Sequence, residues 1–426
     1  MNTKLQILII VFVALLSYNA NAQTNKCATM QHLEKSLVQD PTLKQRMVDS
    51  EKVTRQWILT HVQSKKANTE VIVIPTVVHV IWNSSVENVS DEQILSQIEV
   101  LNNDFRLMNA DSLDEQHPFR PFVIDAKIEF CLAQQDPDGS PTTGITRTQT
   151  NVVAWGEDNW DNIKSTVNGG KNNWDPTKYL NIYVVNLDGK ILGFAAFPDE
   201  LASKPDLDGT VIRYEAFGTN GTAGTGEFSL NNKGRTGTHE IGHWLNLKHI
   251  WGDSTCGDDL INDTEKAEEA NYGNPTFPHR ANNTCGSGTN GEMFMNYMDY
   301  VDDSCMFMFT SGQADRMRAS LNGPRSGLLT SIGCKLPTAL NEVNILNAAT
   351  VYPNPNSGKF TLYINLKNIT LVNASLINMF GATVKEFGVI SKEISTIDIT
   401  DVSTGAYYLR LSNSTTSTIK KVFITK

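Results

Sequence analysis

Residues 238–249 read T-H-E-I-G-H-W-L-N-L-K-H, and this stretch decides how the rest of the chain is understood. His239 and His243 lie four residues apart, a spacing that puts two imidazoles on one face of an α-helix, one turn apart. Two imidazoles so placed can hold one metal ion. Glu240 follows the first histidine, where its carboxylate reaches a water on that ion. His249 comes too late to join them if the helix runs straight, so the chain must turn after about Leu245. Three histidines leave one tetrahedral position open, the pattern of a catalytic zinc rather than a closed structural one. A bare H-E-x-x-H also fits a surface helix that carries two histidines; the third histidine and the downstream sequence favour the metal.

The residue types define a chemistry. Zinc brings the pKa of a bound water to about 7. Glu240 is expected to take that water's proton and deliver it to a leaving amine. An oxyanion donor is also needed, and Tyr300 is the candidate. The motif H-E-I-G-H-W-L-N-L-K-H, followed by N-Y-M-D-Y-V-D-D-S-C-M at Asn296 to Met306, resembles the pappalysin branch of the metzincin metallopeptidases. The resemblance covers most of Ile74 to Cys334. It implies an α/β zincin domain with a mixed twisted sheet, an active-site helix and an irregular C-terminal subdomain. It also implies a methionine turn at Met298 beneath the zinc, with Tyr300 assisting the reaction intermediate. One position departs from the pattern: Asn246 stands where the family has glycine. Asparagine is the next most tolerant residue for positive φ, so the turn toward His249 is expected to survive.

Composition suits a globular chain, with 40% hydrophobic and 19% charged residues. A net charge of −10 argues against a nucleic-acid partner held by basic surface. Met1 to Ala22 reads as a secretory signal peptide: Lys4, an apolar run from Leu5 to Leu16, and the small-residue site Ala20-Asn21-Ala22. No later stretch is long and apolar enough to cross a bilayer. Export permits disulfides, and the six cysteines allow fifteen pairings. The resemblance implies Cys256 with Cys285. It also places a missing cysteine near Tyr272-Gly273-Asn274-Pro275, which leaves Cys305 free or paired elsewhere. Cys131 with Cys334 would tie the start of the catalytic domain to its end.

Gln23 to Lys66 is charged and helical in pattern, too poor in apolar residues to fold alone. Pappalysin zymogens carry a similar segment whose cysteine blocks the open zinc position, and Cys27 is the match; the alternative is a disulfide cysteine. Activation then needs a cut between about Arg55 and Thr69, where Lys65-Lys66 stands. Val71 to Trp82 predicts a buried strand, with His79 as a core histidine. Ser90 predicts the cap of a helix that buries Ile94, Ile98, Leu101 and Phe105. Ala126–Ala133 and Tyr179–Leu187 predict further strands.

Gly193, Phe194 and Ala195 open a short apolar segment. It is either a core strand or, as the resemblance implies, the cleft rim along which substrate pairs antiparallel. The acidic run Trp251 to Glu269 is either a solvated loop or a calcium site, with Asp259, Asn262 and Thr264 the closest matches to the family's calcium ligands. The resemblance also implies that Asp302, Asp303 and Ser304 border the pocket for the residue after the cleaved bond. An inward acid there would favour Arg or Lys. Thr310 to Leu321 predicts a closing helix.

Leu336 to Ala349 reads as a linker, and Thr350 to Lys426 as about seven short strands in a small sandwich. Y-P-N-P-N-S-G-K-F, T-G-A-Y-Y-L-R-L and K-K-V-F-I-T-K resemble the type IX secretion C-terminal sorting domain of Bacteroidetes. The expected order is signal peptide (1–22), latency segment (23–66), catalytic domain (67–335), linker (336–349) and sorting domain (350–426). The expected partners are protein or peptide substrates and the type IX export machinery. A non-catalytic zinc-binding adhesin is the alternative, although it would need neither Glu240 nor Tyr300.

Overall fold

The structure is a computed structural model of the chain and describes residues 26–62, 70–336, 349–364, 372–392, 394–412 and 417–426. The expected signal peptide, Lys65-Lys66 and most of the linker lie outside the described residues. The chain divides into two compact units, residues 1–336 and 337–426.

The first unit opens with two helices, α1 (Thr29–Gln39) and α2 (Leu43–Val62). A six-stranded sheet follows, built from β1 (Ile72–Trp82), β2 (Ile128–Leu132), β3 (Ile145–Gln149), β4 (Leu180–Val185), β5 (Gly193–Ala195) and β6 (Thr210–Arg213). The order is β2-β1-β4-β6-β5, with β3 pairing the second half of β1. Every pairing is parallel except β5 with β6, which leaves β5 as an antiparallel edge. Both faces of the sheet are covered, which is why β1 and β4 are near-continuous apolar runs rather than alternating ones. His79 is a satisfied core residue, its ring nitrogens on Thr146 and Asn181.

Helix α3 (Asp91–Phe105) starts where Ser90 accepts from the Gln93 amide, and it buries Ile94, Ile98, Leu101 and Phe105. Its Gln97 amide donates to the Gly234 carbonyl and its carbonyl oxygen accepts from the Gly218 amide. Through Gly234, α3 anchors the start of α4 (Arg235–Trp244), the helix that carries the histidine motif. Every residue of α4 is buried. Its last carbonyls find partners in the core: Arg325 donates to the Trp244 carbonyl at 2.7 Å and pairs with Asp208 at 2.8 Å. Asp208 also accepts from the Trp244 indole. A buried helix end is tolerable only with such partners.

After α4 the chain is irregular up to α5 (Ser311–Asn322), apart from the short pair β7 (Tyr272–Gly273) and β8 (Tyr300–Val301). Helix α5 is capped by Thr310 and Gln313 in a reciprocal box. Cys256 is bonded to Cys285 and Cys131 to Cys334. Cys27 and Cys305 are free, and the Cys305 thiol donates to the Asn274 side chain at 3.0 Å.

The second unit holds seven strands among its described residues. They are β9 (Ala349–Tyr352), β10 (Lys359–Ile364), β11 (Val372–Ile377), β12 (Thr383–Ile390), β13 (Ile394–Asp398), β14 (Gly405–Ser412) and β15 (Ser417–Ile424). Two antiparallel sheets, β13-β10-β9 and β12-β11-β14-β15, enclose one core that includes Phe360, Leu362, Leu376, Leu409 and Val422.

Candidate active site

Helix α4 puts His239 and His243 on one face, and the chain then leaves the helix through Leu245 and Asn246. Asn246 has φ 80°, the left-handed conformation its place in the motif demands. Arg316 of α5 pins that turn, its Nε donating to the Asn246 carbonyl at 2.7 Å. The turn returns His249 to the other two histidines. The Nε2 atom of His243 lies 3.1 Å from Nε2 of His239 and 3.1 Å from Nε2 of His249.

The Nδ1 atoms define the protonation state. His239 Nδ1 donates to the Tyr297 carbonyl at 2.7 Å, and His243 Nδ1 to the Leu247 carbonyl at 2.8 Å. His249 Nδ1 donates to the Asp253 carboxylate. With each proton on Nδ1, three Nε2 lone pairs converge in a buried place that supplies no proton to any of them. Burial holds His239 down at about 3 and His243 well below its ordinary range, so neither satisfies the others by charging. A cation fits this arrangement, and three imidazoles with one thiol are a borderline-soft donor set that suits zinc. The fourth atom is Cys27 Sγ; it and the three imidazole nitrogens lie within 4.8 Å of one another.

Glu240 lies on the same helix, 1% exposed, and burial raises its carboxyl to about 8. Its Oε2 accepts from the Thr29 hydroxyl at 2.9 Å and meets the Cys27 thiol at 3.5 Å. Two glycines make room here. A Cβ on Gly242 would sit 2.4 Å from the Met298 sulfur, and one on Gly193 would sit 2.8 Å from Glu240 Cγ. Met298 is fully buried, its sulfur against Gly242 of α4. The Tyr300 ring packs against His239, His249 and Trp251, and its hydroxyl donates to the Cys27 carbonyl at 3.3 Å.

Strand β5 carries the segment 26–29 along its free edge. Ala28 donates to the Gly193 carbonyl at 2.9 Å, and Leu192 donates to the Lys26 carbonyl at 2.7 Å. The pairing is parallel. The Ala195 amide, in turn, donates to the Thr29 hydroxyl. Thus Gly193, Phe194 and Ala195 are both a strand of the sheet and the rim of the site.

Beside His239 and Glu240 a cavity is lined by Lys26, Leu192, Asn231, Tyr300, Val301 and Asp303, among others. Asp303 is buried, its carboxylate accepting from the Lys233 and Arg235 amides. Asp302 pairs with the Lys26 ammonium at 3.3 Å. Ser304 does not belong here: it is exposed, and its hydroxyl donates to Asn274. The short helical turn Asp303–Cys305 carries it to the outer side.

Asp259 and Thr264 meet, but as donor and acceptor: the Thr264 hydroxyl donates to Asp259 at 2.8 Å, and the Ile261 amide takes the other carboxylate oxygen. Asn262 lines a separate surface hollow with Asp258 and Asp263. Sequence reading did not give Thr29 and Asp253 their places. Thr29 stood two residues from Cys27. Asp253 lies four residues beyond His249, near the start of the acidic run.

Such a site on such a sheet defines a zinc metalloendopeptidase of the metzincin type. Residues 158–322 match the peptidase family M43, described as pregnancy-associated plasma protein-A, and residues 350–425 match a secretion system C-terminal sorting domain. An extracellular metalloprotease of Arthroderma benhamiae is 30% identical over 261 residues, covering 60% of this chain and 80% of the relative. Mature mirolysin of Tannerella forsythia with a cleaved peptide is 47% identical with a TM-score of 0.59, covering 62% of this chain and 97% of that one. A Tannerella forsythia promirolysin mutant is 41% identical with a TM-score of 0.63, covering 72% and 97%. The chain belongs to the pappalysin family of metallopeptidases, M43, and carries a type IX secretion sorting tail. It is a secreted zinc metalloprotease, which sets aside the adhesin alternative.

Proposed function

We propose that the chain is an exported endopeptidase held latent by its own residues 23–66. Its catalytic domain spans 67–335, followed by a linker to 349 and a sorting domain from 350 to 426. The observation that carries this reading is the convergence of Cys27 Sγ with the three Nε2 atoms, while Thr29 occupies Glu240.

His239, His243 and His249 would hold the zinc. When bound, the zinc supplies an acidified water and a Lewis acid for the scissile carbonyl. Glu240 accepts the proton of the attacking water and returns it to the leaving amine; its buried carboxylate suits both halves of that task. The Tyr300 hydroxyl, which now donates to the Cys27 carbonyl, donates to the carbonyl oxygen of substrate as negative charge develops there. The Gly193 carbonyl and the Ala195 amide, released from the segment, pair with the substrate backbone. Met298 acts by packing.

Lys26 stands in for a substrate residue after the cut bond. Its ammonium lies on Asp302 with Asp303 behind, which supports a preference for Arg or Lys at that position. Calcium at Asp259, Asn262 and Thr264 would compete with the donors the Asp259 oxygens already hold, the Ile261 amide and the Thr264 hydroxyl. Calcium titration followed by melting temperature, with Asp259→Asn as control, tests it.

The central test uses the full chain, cut between residues 62 and 70, on a denatured protein and a peptide library. Cleavage is expected, and it is lost with a chelator and in Glu240→Ala. A folded, zinc-loaded, cut protein that cleaves nothing would end the peptidase reading.

A further inference from the structure

Beyond Thr29 from Lys26, a second cavity of about 410 Å³ separates helices α1 and α2 from the catalytic wall. The pro-segment contributes Met30, Leu33, Met47 and Glu51, and the wall contributes Phe197, Asn246, Lys248, Leu260 and Arg316. Its place along the cleft follows from chain direction. Residues 26–29 run parallel to β5, so they pass from Leu192 toward Ala195 and then to Phe197. A substrate paired antiparallel to β5 runs the other way. Its residues before the cut bond therefore lie toward Ala195 and Phe197, and they inherit this cavity when the pro-segment leaves.

Arg316 is the unusual member of that wall. It is 3% exposed. Two of its nitrogens are committed to the Asn246 turn, at 2.7 Å to the carbonyl and 3.4 Å to the side chain. The third, Nη1, makes no well-aligned hydrogen bond and faces the Glu51 carboxylate of α2 at 2.7 Å. Among the described residues its neighbours on the wall are apolar, Phe197 and Leu260, or cationic, Lys248; Asp199 lines the same cavity, and Asp259 lies within electrostatic reach of the guanidinium. Departure of the pro-segment thus takes the nearest carboxylate, that of Glu51, away from Arg316 and leaves a guanidinium already fixed in orientation over an apolar floor. A fixed guanidinium loses little freedom on taking a carboxylate, and partial burial strengthens the pair.

We infer that Arg316 is a specificity-determining residue of the non-primed cleft. It takes the carboxylate of an aspartate or glutamate a few residues before the scissile bond, and Glu51 of the pro-segment is the stand-in for that side chain. The inference rests on the endopeptidase reading above and adds a substrate class to it: peptides acidic before the cut. Arg316 touches no reacting atom. Its effect falls on binding, so it moves KM more than kcat.

The test uses the full chain cut between residues 62 and 70, with peptides that share one cleavable bond. They differ only in Glu, Gln or Lys at each successive position before it. At one position, kcat/KM is expected to be about tenfold higher for Glu than for Gln, and lower again for Lys. The Glu advantage shrinks between about 0.05 and 0.5 M salt. In Arg316→Gln the Glu-to-Gln ratio falls toward one, and Arg316→Lys regains part of it. Because the ratio is internal to each variant, a loosened Asn246 turn that slows both peptides leaves it readable. If Arg316→Gln loses its zinc altogether, the wild-type ratio and its salt dependence decide. Equal cleavage of all the peptides by the wild type overturns the inference and leaves the peptidase intact, as does a Glu preference that survives in Arg316→Gln. Failure to cut any of them falls on the endopeptidase reading itself.

Discussion

The stretches before and after Asp253 were both rich in candidate metal ligands, and they are built by different means. Before it, every residue of α4 and all of its turn but Lys248 are buried, and each histidine proton is taken by a fixed oxygen. Three lone pairs are left facing one another. After it, residues 254–295 are almost without regular structure, and the carboxylates gather donors. Asp259 takes the Ile261 amide and the Thr264 hydroxyl; Glu268 takes both donors of Thr284; Glu292 takes the Glu268 amide with Asn271 and Asn283. The acids of this loop serve as caps for irregular backbone. In these carboxylates the hydrogen bonds are made within the loop, whereas the three Nε2 atoms face one another.

That contrast can be broken at several points. The irregular loop relies on its covalent tie, so Cys256→Ser should lower stability by about 2–5 kcal/mol, read from unfolding of the full chain. The metal centre should keep its zinc there at neutral pH; a simultaneous loss of metal would show the two stretches to be one cooperative piece. Conversely, Asn274→Cys places a thiol beside Cys305, where the Asn274 side chain now accepts its hydrogen bond. A bond formed there should add up to about 3.5 kcal/mol, with thiol titration reporting its formation.

A third change sharpens the picture of the centre. Asp253→Ala removes the partner of His249 Nδ1, and zinc affinity should fall about 10- to 100-fold, measured by chelator competition. The pro-segment offers a fourth. His32 of α1 is buried against Phe194, and burial depresses it to about 3. Around it stand Glu200 and Asp161, at 3.8 and 3.9 Å, and the cations Lys35, Lys164 and Lys204. A histidine depressed in the docked state favours docking fully above its free value of about 6.5 and loses that contribution as pH falls toward 3. Docking should weaken by about 2 kcal/mol at pH 5, seen as faster release of the cut segment, and His32→Gln should flatten the dependence. The smallest effect belongs to the turn: Asn246→Ala should cost about 1 kcal/mol in stability more than Asn246→Gly, because only φ separates them.

Much of this was legible in the chain. The His239–His243 spacing, the Ser90 and Thr310 caps and the apolar runs of β1 and β4 obey local rules that tertiary packing did not override. The tolerance of Asn246 for positive φ was readable for the same reason. What escaped were pairings between distant segments. Nothing local says that Thr29 reaches Glu240, that Asp253 serves His249, or that Ser304 turns outward while Asp303 turns in. Each depends on where an irregular stretch is anchored, and hydrophobic period says nothing of that.

The parallel seating of residues 26–29 on β5 has a kinetic consequence. On the latency reading proposed above, a peptide laid backwards offers its bonds to the site with their two ends exchanged, so it occupies the cleft without being consumed. Joined to the enzyme by a short stretch of chain, it competes at an effective concentration of the order of millimolar. Once severed, it competes only at the concentration of the protein itself. Cutting the chain need not disturb one contact in the cleft to release activity. Dilution does the rest, and a concentrated sample should switch on more slowly than a dilute one.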